Sequence, residues 1–104
     1  MDTALVQLAL AFPVTVEEQL LAELRTIDPD LPGFTTLRGQ GHGHGYTRAS
    51  VREQVRGRTD RGVLLMVLAP ERATLIVEAL RERLPLPEIA WWIVPVLGFG
   101  RLGR

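Results

Sequence analysis

The sequence predicts an α+β fold in the order β-α-β-β-α-β, and three observations carry that prediction. Apolar residues alternate with other residues from Ala4 to Phe12, the pattern of a strand with one buried face. Two later stretches repeat their apolar residues at helical spacing, Val16, Leu20, Leu24 and Ile27 in one and Ala73, Ile76, Leu80 and Leu84 in the other. Two further runs, GVLLMVLA and IAWWIVPVL, are apolar at consecutive positions and no longer than strands.

Each element has its own boundaries. The first strand buries Val6, Leu8, Leu10 and Phe12 on one side, leaving Leu5, Gln7, Ala9 and Ala11 on the other. Thr15 and Glu18 form a capping box, T-V-E-E, at the head of the first helix, which ends near Asp28-Pro29. After the turn at Leu31-Pro32-Gly33, residues Phe34 to Arg38 read as a second strand that runs into a glycine-rich segment. Gly62 to Ala69 is the third strand. Pro70 suits the first turn of the second helix, which reaches Leu84 and is closed by Pro85-Leu86-Pro87. Ile89 to Leu97 completes the series.

This order is that of the ferredoxin-like split βαβ fold, a four-stranded antiparallel sheet with two helices on one face. Right-handed crossovers put both helices on the same side, so the other face lacks cover from its own chain. The tandem Trp91-Trp92 sends one large aromatic to each face. An apolar face of that size points to burial against further copies of the chain. At 104 residues the chain suits one domain, residues 1–104, too short for two cores. Its apolar runs fall far below the roughly 20 residues of a membrane span. MDTALVQLALAF has an acid where a signal peptide carries basic residues, which predicts a cytoplasmic protein. The absence of cysteine removes disulfides and thiolate metal sites.

The formal charge of zero conceals an asymmetry. All 12 basic residues are arginine, and from Arg38 to Arg61 six of them face only Glu53 and Asp60, leaving that segment at about +4. Guanidinium groups offer paired donors to phosphate or carboxylate, although the same arginines could simply solvate a loop. Inside this segment lies GQGHGHGYTRAS, Gly39 to Ser50. It is not a Walker A sequence, since no Gly-Lys-Ser/Thr follows. His42 and His44 are spaced i, i+2, so on an extended stretch both imidazoles could face one divalent transition metal. Two ligands are too few for a closed site, and a partner copy, Glu53, Asp60 or water would have to supply the rest. Ser50 and Glu53 form a second capping box, and Arg48, Arg52 and Arg56 recur every fourth residue, as on one face of a short helix. So short a helix, beside so many glycines, is costly to order without a partner or ligand. Residues 39–61 therefore read as a flexible switch loop. Tyr46 and Ser50 offer hydroxyls to a modifying enzyme.

Catalysis has little to work with: one serine, no cysteine, and both histidines among glycines. The chain reads as no enzyme. Nucleic acid is disfavoured as a partner because the loop holds only Tyr46 for base stacking and the rest of the chain is acidic.

The element order, the long loop opening on Gly39-Gln40-Gly41, and the motifs GFTTLRGQGHGHG, SVREQVRGR and WWIVPVLGFGRL resemble the PII-like signalling superfamily, in particular a small PII-like family found beside heavy-metal efflux systems. The likeness spans nearly the whole chain. It implies a homotrimer with sheets turned to the centre, a T-loop at residues 39–61, and small anionic ligands, adenine nucleotides in many relatives, bound in clefts between subunits. By position, Gly39, Gln40 and Gly41 would stand at the T-loop base near the cleft, and Arg101 and Arg104 would correspond loosely to basic C-terminal residues of nucleotide-binding relatives; a bound phosphate or carboxylate could then bridge Arg101, Arg38 and the backbone N–H groups of Gly39 to Gly41. Tyr46, Arg48, Arg52, Arg56 and Arg58 would engage a membrane transporter or an enzyme. A metal-binding accessory role in an efflux system, through His42 and His44, is the alternative. One departure stands out: those relatives carry a phosphate loop rich in glycine and lysine before the last strand, where this chain has Leu84-Pro85-Leu86-Pro87-Glu88.

Overall fold

The computed structural model describes residues 4–43 and 58–103. Strand β1 (Leu5–Pro13) leads through a single 3-10 turn (Val14–Val16) into helix α1 (Glu17–Ile27). Strands β2 (Phe34–His42) and β3 (Arg58–Leu68) follow, then helix α2 (Pro70–Arg83) and strand β4 (Ala90–Val96). The sheet order is β2-β3-β1-β4 with every pairing antiparallel, the ferredoxin-like arrangement the apolar patterning predicts.

One face of the sheet carries the core. Leu8, Leu10 and Phe12 of β1 and Leu64, Met66 and Leu68 of β3 are buried against Leu20 and Leu24 of α1 and Ala73, Ile76, Val77 and Leu80 of α2. Both helices therefore lie on that face, because alternation along a strand sends these sheet residues one way only. Burying each large aliphatic side chain contributes about 1.5–3 kcal/mol, which makes this layer the main source of stability. Across the helix pair, Arg83 Nε donates to Glu23 Oε1 at 2.6 Å on the solvated side.

The opposite face is apolar and open. In register across the sheet lie Leu65, Ala9 and Trp92, and next to them Val67, Gln7 and Val94. Ala9 is fully buried between its two large neighbours, whereas Trp92 is 43% exposed and Leu37 50% exposed. Trp91 pairs with Leu10, a core residue, and so falls on the helix face; the two tryptophans do part to opposite sides.

Two local expectations are corrected. Thr15 does not cap α1: it lies exposed in the 3-10 turn, and the helix opens on Val16 with no side-chain cap, leaving Glu17 and Glu18 to complement the positive end of the helix. The second correction concerns the glycine segment. β2 does not stop at Arg38 but continues to His42, paired residue by residue with Arg58 to Arg61, so both ends of the 39–61 segment are a two-stranded ribbon reaching beyond Pro13. Antiparallel pairing supplies the backbone partners that glycine's weak strand preference does not.

Candidate functional site

Alternation along the ribbon sorts the predicted ligand residues onto two faces. Arg38 pairs with Gly62 and shares the helix face with Phe12, and its Nη2 donates to Glu17 Oε1 at 2.5 Å. Gly39 and Gly41 turn the other way, in register with Arg61 and Thr59, while Gln40 pairs with Asp60. Gly39, Gln40 and Gly41 thus come together as one strand, and Arg38 stands beside them with its guanidinium engaged by the first helix. A β carbon added at Gly39 would meet nothing within 4 Å, so the backbone there is open to close approach.

Arg61 plays a structural part that the sequence reading passed over. It is 7% exposed, and its Nη2 donates to the carbonyls of Ala11 at 3.3 Å and Glu88 at 2.7 Å. A single buried guanidinium thus ties the ribbon to the end of β1 and to the α2–β4 connection. Thr59, also 7% exposed, has a buried hydroxyl with no hydrogen-bond partner among the described residues. The signal for both was the register of Gly39 with Arg61, which depends on where the two strands begin and cannot be read from composition.

Of the two C-terminal basic residues, Arg101 alone is described. β4 runs antiparallel to β1 and ends with Val96 beside Leu5, whereas the ribbon leaves the sheet at the Pro13 end. Those two rows are eight residues apart along β1, about 26 Å at a strand rise of ~3.3 Å. Arg101 follows Val96 by five residues and is exposed. Arg104 lies outside the described residues, as do His44, Tyr46, Arg48, Arg52 and Arg56 and the side chain of Arg58. His42 is exposed at the end of β2, and Gly43 follows with φ at 105°, a backbone shape that favours glycine. Among the described residues no group of three or more His, Asp or Glu side chains gathers as for a metal ion.

The α2–β4 connection, which departs from the phosphate-loop composition, is put to another use. Leu84, Pro85, Leu86, Pro87 and Ile89 join Val77, Leu80, Leu10 and Trp91 around an apolar groove of about 290 Å³. Among the described residues its one cationic side chain is Arg81, whose guanidinium carbon lies 5.5 Å from the centre of the Trp91 ring. No described helix is long and apolar enough to cross a membrane.

Solved structures share this architecture. A DUF3240 family protein from Shewanella baltica OS155 superposes with a TM-score of 0.74 at 16% identity, over 99% of this chain and 100% of that one. A protein described as PII-like and signalling, from Thermus thermophilus, gives 0.64 at 20% identity over 92% and 91%. CPII from Thiomonas intermedia K12, bound to ADP, AMP and acetate, gives 0.68 at 12% identity over 95% and 91%. These likenesses establish the PII-like fold. No curated protein matches the chain. The family model described as a protein of unknown function, DUF3240, matches residues 2–103, and the chain belongs to that family.

Proposed function

We propose that this chain is a PII-like regulatory protein, not an enzyme: a cytoplasmic homotrimer that binds a small anionic ligand in clefts between subunits and passes that occupancy to a transporter or enzyme through residues 39–61. The fold supports the class. The observation that carries the rest is the separation of the two halves of the ligand set. Gly39 to Gly41 lie at one end of the sheet, and the chain leaves β4 towards the other, so one copy cannot bring its own Arg101 to its own loop base. Two copies can. The open, apolar sheet face with Trp92 supplies the surface on which copies would meet.

The ligand's chemistry follows from the donors. Arg101 offers a charge-assisted fork, and the exposed backbone at Gly39 offers close approach, which together suit a phosphate or carboxylate. The connection from Leu84 to Glu88 has neither glycine nor cation. Recognition therefore rests on the anionic head rather than on a full polyphosphate chain. Charge-assisted bonds contribute about 1.5–3 kcal/mol each, and ordering a loop residue costs about 1–2 kcal/mol, so the net affinity is modest and adjustable.

Calorimetric titration with ADP, AMP, bicarbonate and phosphate tests this reading, with hydrogen exchange read over residues 39–61. One of these ligands is expected to bind and to protect those amides, and Arg101→Ala to weaken binding at least tenfold while light scattering still reports three chains. Exchange unchanged by all four ligands would replace the switch with a constitutive partner-binding loop.

A further inference from the structure

The helix face of β4 is only partly covered. Ala73, Ile76, Val77 and Leu80 of α2 join the core with residues of β1 and β3, whereas β4 stands at the edge of the sheet and contributes no buried residue. What remains between the helix and the edge strand is the groove of about 290 Å³, with Leu10 and Trp91 paired in register beneath it. Trp91 keeps 42% of its surface exposed there. Pro85 and Pro87 close one side with backbones whose φ is already fixed, so the shape exists before anything enters it. Its volume lies at the lower end of small-molecule pockets, which run from about 300 to 1,000 Å³.

One charge serves this apolar space. Arg81 is exposed, and its guanidinium carbon stands 5.5 Å from the centre of the Trp91 ring. Among the described residues no carboxylate pairs with Arg81, and its helix neighbours Glu78 and Glu82 do not line the groove. We infer that the groove binds a small amphipathic anion, a linear monocarboxylate of medium chain length, with its hydrocarbon body against Leu80, Leu84, Leu86 and Trp91 and its carboxylate on Arg81. The site shares no residue with the anion site proposed above and depends neither on that site nor on assembly.

The chemistry of the lining selects this class of ligand. A guanidinium fork matches the two oxygens of one carboxylate, whereas the further oxygens of a phosphate would face leucine and proline without donors. Arg81 lies over the Trp91 ring, so that face is taken and an aliphatic body fits better than a stacked aromatic one. A cationic head would meet Arg81 and no partner. The chain's own apolar C-terminal residues leave the space to a ligand: Leu97, Phe99 and Leu102 are exposed and none of them lines the groove. Each methylene that leaves water strengthens binding about two- to fourfold. An exposed ion pair adds no more than about fivefold. Chain length therefore sets the affinity, and Arg81 sets the preference for an acid over a neutral molecule of the same length.

Calorimetric titration of the full chain at pH 7 with butanoate, hexanoate, octanoate and 1-octanol tests the site. Octanoate is expected to bind once per chain and more than about tenfold tighter than butanoate. Arg81→Gln should weaken octanoate roughly fivefold and leave 1-octanol unchanged, a contrast that loss of folding cannot produce. Location is read by fluorescence, since the chain has two tryptophans: octanoate should shift the emission of W92F, which retains Trp91, and leave that of W91F unmoved. No binding of octanoate overturns the proposal and gives the groove to an apolar segment of protein. Affinity indifferent to chain length, octanoate bound equally well by R81Q, or a shift that persists in W91F overturns it as well. Failure of ADP, AMP, bicarbonate and phosphate to bind would count against the regulatory reading alone, because octanoate reports on the groove and not on the glycine segment.

Discussion

Gly62 lies flush against the ring of Phe12: a β carbon built on Gly62 would stand 2.5 Å from both Cε1 and Cζ of that ring and 3.3 Å from Nη1 of Arg38. Phe12, Gly62 and Arg38 form one row across three strands, so the missing side chain at Gly62 is what lets a fully buried aromatic and a loop-base arginine share the helix face. Gly62→Ala is expected to cost about 1–3 kcal/mol in urea unfolding, the range for overpacking a tight core. An unchanged midpoint would mean that Phe12 can move aside freely.

Arg61 should matter more to stability than its charge suggests. Arg61→Met keeps much of the apolar stem but removes donors to the carbonyls of Ala11 and Glu88, and is expected to destabilise by roughly 1–3 kcal/mol. Hydrogen exchange should rise first in residues 84–89, where Glu88 is held. Loss confined to the ribbon would show that the link to the connection is unimportant.

The Asp28 carboxylate predicts an acid-sensitive clamp. Arg72 Nε donates to its Oδ2 at 3.1 Å and Arg72 Nη2 to the same oxygen, while the backbone N–H of Asp30 donates to Oδ1 at 3.0 Å. Arg72 chiefly, opposed by partial burial and aided by the Asp30 amide, holds the Asp28 pKa below its ordinary 3.8. A carboxyl depressed on folding stabilises the fold above its unfolded pKa and loses that contribution as pH falls through the folded one. Asp28→Asn should therefore lower stability at pH 7, and the gap to the unsubstituted protein should close only as pH falls below 3.8 through the depressed folded pKa, measured by urea unfolding across that range. A gap that persists undiminished into strong acid would assign the effect to something other than charge.

Trp92 tests the open face. Trp92→Glu places a charge on the side of the sheet away from the core, between Ala9 and the β4 edge, and should dissociate the proposed trimer while leaving far-UV circular dichroism unchanged. A variant that keeps the mass of three chains would move the interface off this face.

The metal alternative has a direct check. If His42 and His44 hold zinc, copper, nickel or cobalt, replacing both by alanine should abolish micromolar binding in calorimetry and leave the proposed trimer intact. Binding that survives the double substitution would locate the site elsewhere.

What the sequence determined by itself was the set of elements and their order. Periods of two and of about 3.6 residues are imposed by backbone geometry, so Val6 to Phe12, Val16 to Ile27 and Ala73 to Leu84 reveal their buried faces without knowledge of their neighbours. The parting of Trp91 and Trp92 follows from the same alternation. The capping box at Thr15 failed because a cap depends on the chain's path into the helix, and that path is a 3-10 turn following Pro13. The ribbon, the Gly39–Arg61 register, the buried guanidinium of Arg61 and the groove beneath Trp91 were decided only by tertiary structure. Each joins residues separated by a loop or a helix, and which of them meet depends on how strands pair and how α2 closes over the sheet. The same holds for Arg101: its charge is plain in the sequence, but only the direction of β4, which ends with Val96 beside Leu5, starts the chain away from its own glycine segment.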